Sequence, residues 1–173
     1  MIYILSDHIE TGKTNALLKW SEGRKDTFGI LTPRDENNYR YILDVHTTDS
    51  FKMQTDLATA DTISVGRYHF LKSAFKTGNS ILKKALKNNK SRYIIIDELG
   101  KLELQSDGFH EATTLAIKTT INSNALNLIL IIRTSLLSQI IKKYHITDYQ
   151  FITIKDLNKQ LEFPIENRNK KNF

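Results

Sequence analysis

Within the first fourteen residues an apolar run, Ile2 to Leu5, gives way to a polar stretch that closes on Gly12-Lys13-Thr14. That order commits the start of the chain to a buried strand, a loop and a helix, with Lys13 at the helix N-terminus and Ala16-Leu17-Leu18 to Trp20 continuing it. In the pattern G-x-x-x-x-G-K-[ST], backbone N–H groups curl around phosphates, the Lys meets the β and γ oxygens, and the hydroxyl holds Mg²⁺. Gly12, Lys13 and Thr14 fill the last three places, but the first glycine is replaced by Asp7, which brings a Cβ and a negative charge. Asp7, His8, Ile9, Glu10, Thr11, Gly12, Lys13, Thr14 and Asn15 are therefore the candidate phosphate-binding residues. His8 either contacts phosphate or faces solvent. A bare Gly-Lys-Ser/Thr also arises by accident in roughly one chain in ten of this length, so a plain strand-to-helix turn is the alternative.

The second signal is Arg92-Tyr93-Ile94-Ile95-Ile96-Asp97-Glu98-Leu99-Gly100, an apolar strand that ends in paired carboxylates. Parallel α/β sheets bind ligands at the carboxyl ends of their strands, where the N-terminal loop would also present its phosphates. By type, Asp97 suits orienting Mg²⁺ through water, and Glu98 suits positioning or deprotonating an attacking water. The competing account is that both acids cap the helix that follows.

Asp97-Glu98-Leu99-Gly100-Lys101-Leu102-Glu103-Leu104 closely resembles the D-E-I-G-K-M-E-L signature of the thermophile-type P-loop nucleoside triphosphatases, the family that includes the cancer-related nucleoside triphosphatase. Gly29-Ile30-Leu31-Thr32-Pro33 is similar to its G-F-x-T segment, Asp44-Val45 to the second strand of its hairpin, and Val65-Gly66-Arg67-Tyr68 with Phe75 to its V-G-x-Y…F stretch. The resemblance implies an additional-strand P-loop fold similar to the RecA type and Mg²⁺-dependent hydrolysis of several nucleoside triphosphates. It implies Lys13 and Thr14 as phosphate and metal ligands, Asp97 as the metal-orienting acid and Glu98 as general base. The chain departs from the family at Asp7, Thr11 and Asn15. Where the family has a Glu and an Arg after G-F-x-T, this chain has Arg34-Asp35-Glu36, and the family's late Asn-Arg pair is replaced around Leu157-Asn158.

A carboxylate about 8 Å from one phosphate charge, at an effective dielectric near 20, costs roughly 2 kcal/mol before screening. Asp7 would then weaken nucleotide binding some thirtyfold (about 2 kcal/mol) without abolishing it. Asp side chains that bond their own turn reduce that cost.

The chain has 173 residues, enough for one domain, and no Cys, which excludes disulfides, thiolate metal sites and a Cys nucleophile. No apolar run approaches the roughly 20 residues that span a bilayer, and Met1 to Leu5 does not make a signal peptide, so the expectation is a cytoplasmic protein with no membrane partner. The net charge of +6 raises nucleic acid as a partner. Its clusters at Lys83-Lys84-Lys87-Lys90, at Lys142-Lys143 and in the tail from Arg168 to Lys171 lack any aromatic-basic reader motif, and the reading does not favour nucleic acid. Residues 164–173 are expected to fray.

The rest of the chain alternates. A β-hairpin is expected from Phe28 to Phe51, a strand at Ile63 to Phe70, and a helix from Ser73 to Asn89 burying Phe75, Ile81, Leu82, Ala85 and Leu86. A helix from Asp107 to Ser123, a strand from Leu126 to Ile132, a helix capped by Ser135 through Tyr144 and a strand from Tyr149 to Ile154 complete it. The fold class is α/β: three layers, a mostly parallel RecA-like sheet with helices on both faces and an inserted hairpin. Arg133, at the end of its strand, is a candidate for sensing the γ-phosphate or for a surface ion pair. Lys101 and Glu103 border the pocket or pair with each other. The function expected is a slow nucleoside triphosphate hydrolase of broad base preference; a nucleotide-binding switch or scaffold, and a small-molecule kinase, are the alternatives.

Overall fold

The computed structural model describes residues 1–7, 12–155 and 157. The elements in chain order are β1 (Ile2–Asp7), α1 (Lys13–Ser21), β2 (Thr27–Leu31), β3 (Tyr41–Asp44), β4 (Ser50–Lys52), β5 (Gln54–Thr55), β6 (Thr62–Val65) and β7 (Tyr68–Leu71). They continue with α2 (Lys72–Lys87), β8 (Tyr93–Leu99), α3 (Lys101–Leu104), α4 (His110–Ile121), β9 (Asn127–Arg133), α5 (Leu137–Lys143) and β10 (Gln150–Ile152). Among the described residues, seven strands form one sheet in the order β10-β1-β9-β8-β2-β3-β4, and β5-β7-β6 form a second, smaller one.

The five strands from β10 to β2 pair in parallel, which requires crossovers over the sheet faces. Parallel strands covered on both faces read as unbroken apolar runs, and β8 and β9 have that composition. Ile94, Ile96, Leu128 and Leu130 pack towards α2 and α4, whereas Ile95, Ile129 and Ile131 pack on the other face towards Leu17 and Trp20 of α1. β9 lies between β1 and β8, so one strand separates the loop-bearing strand from the acidic one.

The helix at Lys13, the acidic strand, the long helix after β7 and the strand ending at Arg133 form where the patterning predicts them. Three expectations need correction. The single strand from Ile63 to Phe70 is a hairpin, in which Val65 faces Tyr68 across a Gly66-Arg67 turn with Gly66 at φ 60°. A two-residue loop opening on a left-handed glycine matches the twist of paired strands, so the apolar run reverses there. The hairpin from Phe28 to Phe51 has three strands, not two, and its first, β2, also pairs in parallel with β8. Ser135 does not cap α5: Thr134–Leu136 form a 3-10 turn, and Leu136 stands at the cap. The tail, 164–173, lies outside the described residues, as does Asn158.

Gly29 fixes how closely β2 approaches β8. Its φ is 115°, and a Cβ built there would stand 2.1 Å from the Ile95 carbonyl oxygen. Backbone cannot yield as a side-chain tip does. Gly29→Ala is expected to lower the unfolding free energy by about 3 kcal/mol or more. Urea denaturation checks this; a loss below about 1 kcal/mol would show that the two strands can part without cost.

Candidate functional site

The site forms where β1, β8 and β9 end. Gly12 sits at φ 80°, the left-handed conformation that turns the chain into α1 and places Lys13 and Thr14 in its first turn. Opposite, the pairing of β8 with β9 breaks register between Ile96 and Leu99, and Asp97 and Glu98 occupy that irregularity. Such breaks re-aim side chains at strand ends. Asp97 is thereby turned to α1 and β2, and Glu98 to two arginines.

Asp97 is 1% exposed. Its Oδ2 accepts from the Thr14 hydroxyl at 2.8 Å, the Thr32 backbone N–H at 2.9 Å and the Thr32 hydroxyl at 3.2 Å. Burial pushes its carboxyl up from the usual aspartate range, while the Thr32 N–H and Thr14 hydroxyl act against that rise.

Glu98 accepts from Arg133 through Nε to Oε1 and through Nη2 to Oε2 at 3.2 Å, and from Arg40 Nη2 to Oε2 at 3.2 Å. Burial opposes its ionisation, but Arg133 first, then Arg40 and Lys13, outweigh burial and hold it below the usual glutamate range. Arg40 also donates to the Thr32 hydroxyl at 3.1 Å, which joins the two acids into one network.

Lys13, Thr14, Asp97, Glu98 and Arg133 thus face one cavity of about 450 Å³, with Gly12 and Asn15 also on its wall. Lys13 is buried. Asp7 ends β1 in register with Arg133. His8, Ile9, Glu10 and Thr11 lie outside the described residues. The acids do not cap α3, whose N-cap is Gly100.

Two residues escape sequence reasoning. Arg40 lies just before β3, and the alternation of Tyr39, Tyr41, Leu43 and Val45 draws attention to the opposite side chains. The signal was the other half of the same alternation, in which Arg40 precedes the fully buried Ile42. Thr32 was visible only as part of a motif. Its role comes from β2 lying beside β8.

Of the two expectations for Glu103, the one that holds is that it borders a cavity, together with Lys101. It does not pair with Lys101: its Oε2 accepts from the Gly100 N–H at 2.7 Å and its Oε1 from the Phe109 N–H at 2.9 Å, and it is buried while Lys101 is exposed. It fastens the turn after β8 to the start of α4.

Comparison with known proteins bears on this geometry. A family model described as NTPase matches residues 3–165. The chain belongs to the NTPase family. The fold is similar to the crystal structure of THEP1 from the hyperthermophile Aquifex aeolicus, with a TM-score of 0.69 at 21% identity over 93% of this chain and 94% of that one. Comparison with curated proteins finds no match. The architecture is that of an α/β P-loop NTPase, with parallel strands flanked by helices and the extra strand β9 between the loop strand and the acidic strand.

Burial raises the Glu103 carboxyl above its ordinary value of 4.5, with the two backbone N–H donors opposing. A carboxyl whose folded pKa is raised contributes stability that is full below its unfolded pKa and is lost as pH rises through the folded pKa. Gln cannot ionise. The stability gap between the parent chain and its Glu103→Gln variant should therefore shrink as pH rises from about 4 to about 7. Urea unfolding at both pH values reads the gap, and one that widens would contradict the raised carboxyl.

Proposed function

We propose that the protein hydrolyses nucleoside triphosphates to diphosphate and phosphate with Mg²⁺, slowly and with broad base preference. The observation that carries this reading is the convergence of Lys13, Thr14, Asp97 and Glu98 on one cavity. In this reading Lys13 and the amides of the loop from Asp7 to Asn15 hold the phosphates. Asp7 sets the slow, weakened character.

The donor set fits Mg²⁺: a Thr14 hydroxyl and an Asp97 carboxylate are hard oxygens 2.8 Å apart, and Mg²⁺ takes one or two protein oxygens with water and phosphate completing its shell. Held there, Mg²⁺ would supply positive charge against the charge that builds up on the phosphates. Thr14 and Asp97 would hold it, and Thr32 would keep Asp97 aimed.

Glu98 orients the attacking water and accepts its proton. While both arginines grip it, it is a weak base, because charge-assisted bonds lower its affinity for a proton. A γ-phosphate offers the same arginines a more highly charged partner. Their transfer to the phosphate frees Glu98 and places Arg133 and Arg40 where charge builds up. The observation favouring the second reading, a nucleotide-binding switch that does not turn over, is the same grip on Glu98. Absence of a helix long and apolar enough to cross a membrane among the described residues supports a cytoplasmic setting.

Glu98→Gln should bind triphosphate as tightly as the parent or more so, because its arginines are released, and should lose about 100-fold or more in turnover. Lys13→Ala should lose binding itself. Calorimetry with a non-hydrolysable analogue and phosphate release with Mg²⁺ separate the two effects. Turnover of Glu98→Gln equal to the parent would remove Glu98 from the chemistry, and nucleotide binding by the parent without phosphate release would favour the switch.

A further inference from the structure

A second cavity, of about 220 Å³, adjoins the first. The two share Thr32, Arg34, Arg40, Tyr68, Glu98 and Arg133, whereas Lys13 and Thr14 line only the first and Arg67, Lys101 and Phe109 only the second. Glu98 and its arginines therefore border both cavities, and the second is lined without Lys13 or Thr14.

The inner wall of this cavity is apolar. Met53, Phe70, Phe75 and Phe109 line it and are each less than a tenth exposed, with Phe75 and Phe109 packed ring to ring at 5.1 Å. Its outer wall is cationic. Arg67 and Lys101 are exposed, Arg34 is half-buried, and the guanidiniums of Arg34 and Arg67 lie 5.9 and 5.1 Å from the ring of Tyr68. Five cations in all face two carboxylates. One of these, Glu98, is held by Arg40 and Arg133, and the other, Glu103, is satisfied by backbone N–H groups. Arg34, Arg67 and Lys101 thus stand over an apolar floor with no acid assigned to them among the cavity's walls.

An apolar floor beneath a cationic mouth selects a ligand with an apolar body and an anionic head. Guanidinium forks match phosphate oxygens in pairs, and a surplus of several cations favours a dianion over a singly charged carboxylate. We propose that this cavity is a second ligand site, which takes a small organic phosphate monoester with an aromatic or apolar body. The ligand binds beside the triphosphate rather than in its place, and only that juxtaposition rests on the triphosphate reading of the first cavity. The body lies on Phe70, Phe75 and Phe109, and the phosphate lies between Arg67 and Lys101, the two cations that line only this cavity. Such a ligand stands next to Glu98, at the reacting end of the first site.

Phenyl phosphate is the probe, titrated calorimetrically into the full chain with and without a saturating non-hydrolysable triphosphate and Mg²⁺. It should bind at about 1 mM or tighter in both states. The double variant Arg67→Glu/Lys101→Glu, changed at two exposed positions that line only the second cavity, should weaken it roughly tenfold or more. Benzoate, the carboxylate arm, should bind more weakly than phenyl phosphate. Lack of phenyl phosphate binding, its displacement by the triphosphate analogue, equal binding of benzoate, or indifference to the double variant would each overturn the proposal. If the analogue itself does not bind while phenyl phosphate does, it is the triphosphate reading that fails, and the second site stands.

Discussion

One buried carboxylate organises the ligand end of this sheet. Asp97 lies on β8, accepts from Thr14 on α1 and takes both the N–H and the hydroxyl of Thr32 at the end of β2. Three elements distant in sequence are therefore registered to one oxygen atom. A buried charge without such partners would cost several kcal/mol, so the bonds and the position of the loop's first helical turn stand or fall together. The arrangement is also what makes Thr14 and Asp97 a paired oxygen donor set.

The second acid is managed differently. Glu98 sits where two guanidiniums reach it from opposite elements, Arg133 from the end of β9 and Arg40 from the strand pair added beyond β2. The hairpin extension thereby gains a reason to exist that packing alone does not supply, because it delivers a cation to the end of the parallel sheet. The two arginines bring one more positive charge than Glu98 balances. In the proposed reaction a triphosphate would compete for the same cations, coupling its binding to the freeing of Glu98 through a shared set of charges.

Much of this was legible in the chain itself. The unbroken apolar runs of β8 and β9 announced parallel strands, and acids directly after one of them announced a ligand end. Asp97, Glu98, Lys13, Thr14 and Arg133 could be singled out because each ends a strand or begins a helix, and topology brings those ends together. Arg40 could not, because it lies just before a strand whose partner is evident only once β2 is seen to pair on both sides. For Glu103 the chain left a place on a cavity wall and an ion pair with Lys101 both open, and the first holds, its bonds going to backbone N–H groups at Gly100 and Phe109 that only the turn after β8 brings together. The hairpin at Gly66 was concealed by apolar residues on both sides of a two-residue turn.

The account rests on one shared hollow for the cation near the start of the chain and the two acids in its middle. A crystal structure with Mg²⁺ and a non-hydrolysable triphosphate tests it most directly. The expected result is a γ-phosphate within reach of Lys13, Arg40 and Arg133, an ion on Thr14 and Asp97, and Glu98 released from at least one guanidinium. A nucleotide bound elsewhere, with Glu98 still held by both arginines, would contradict it.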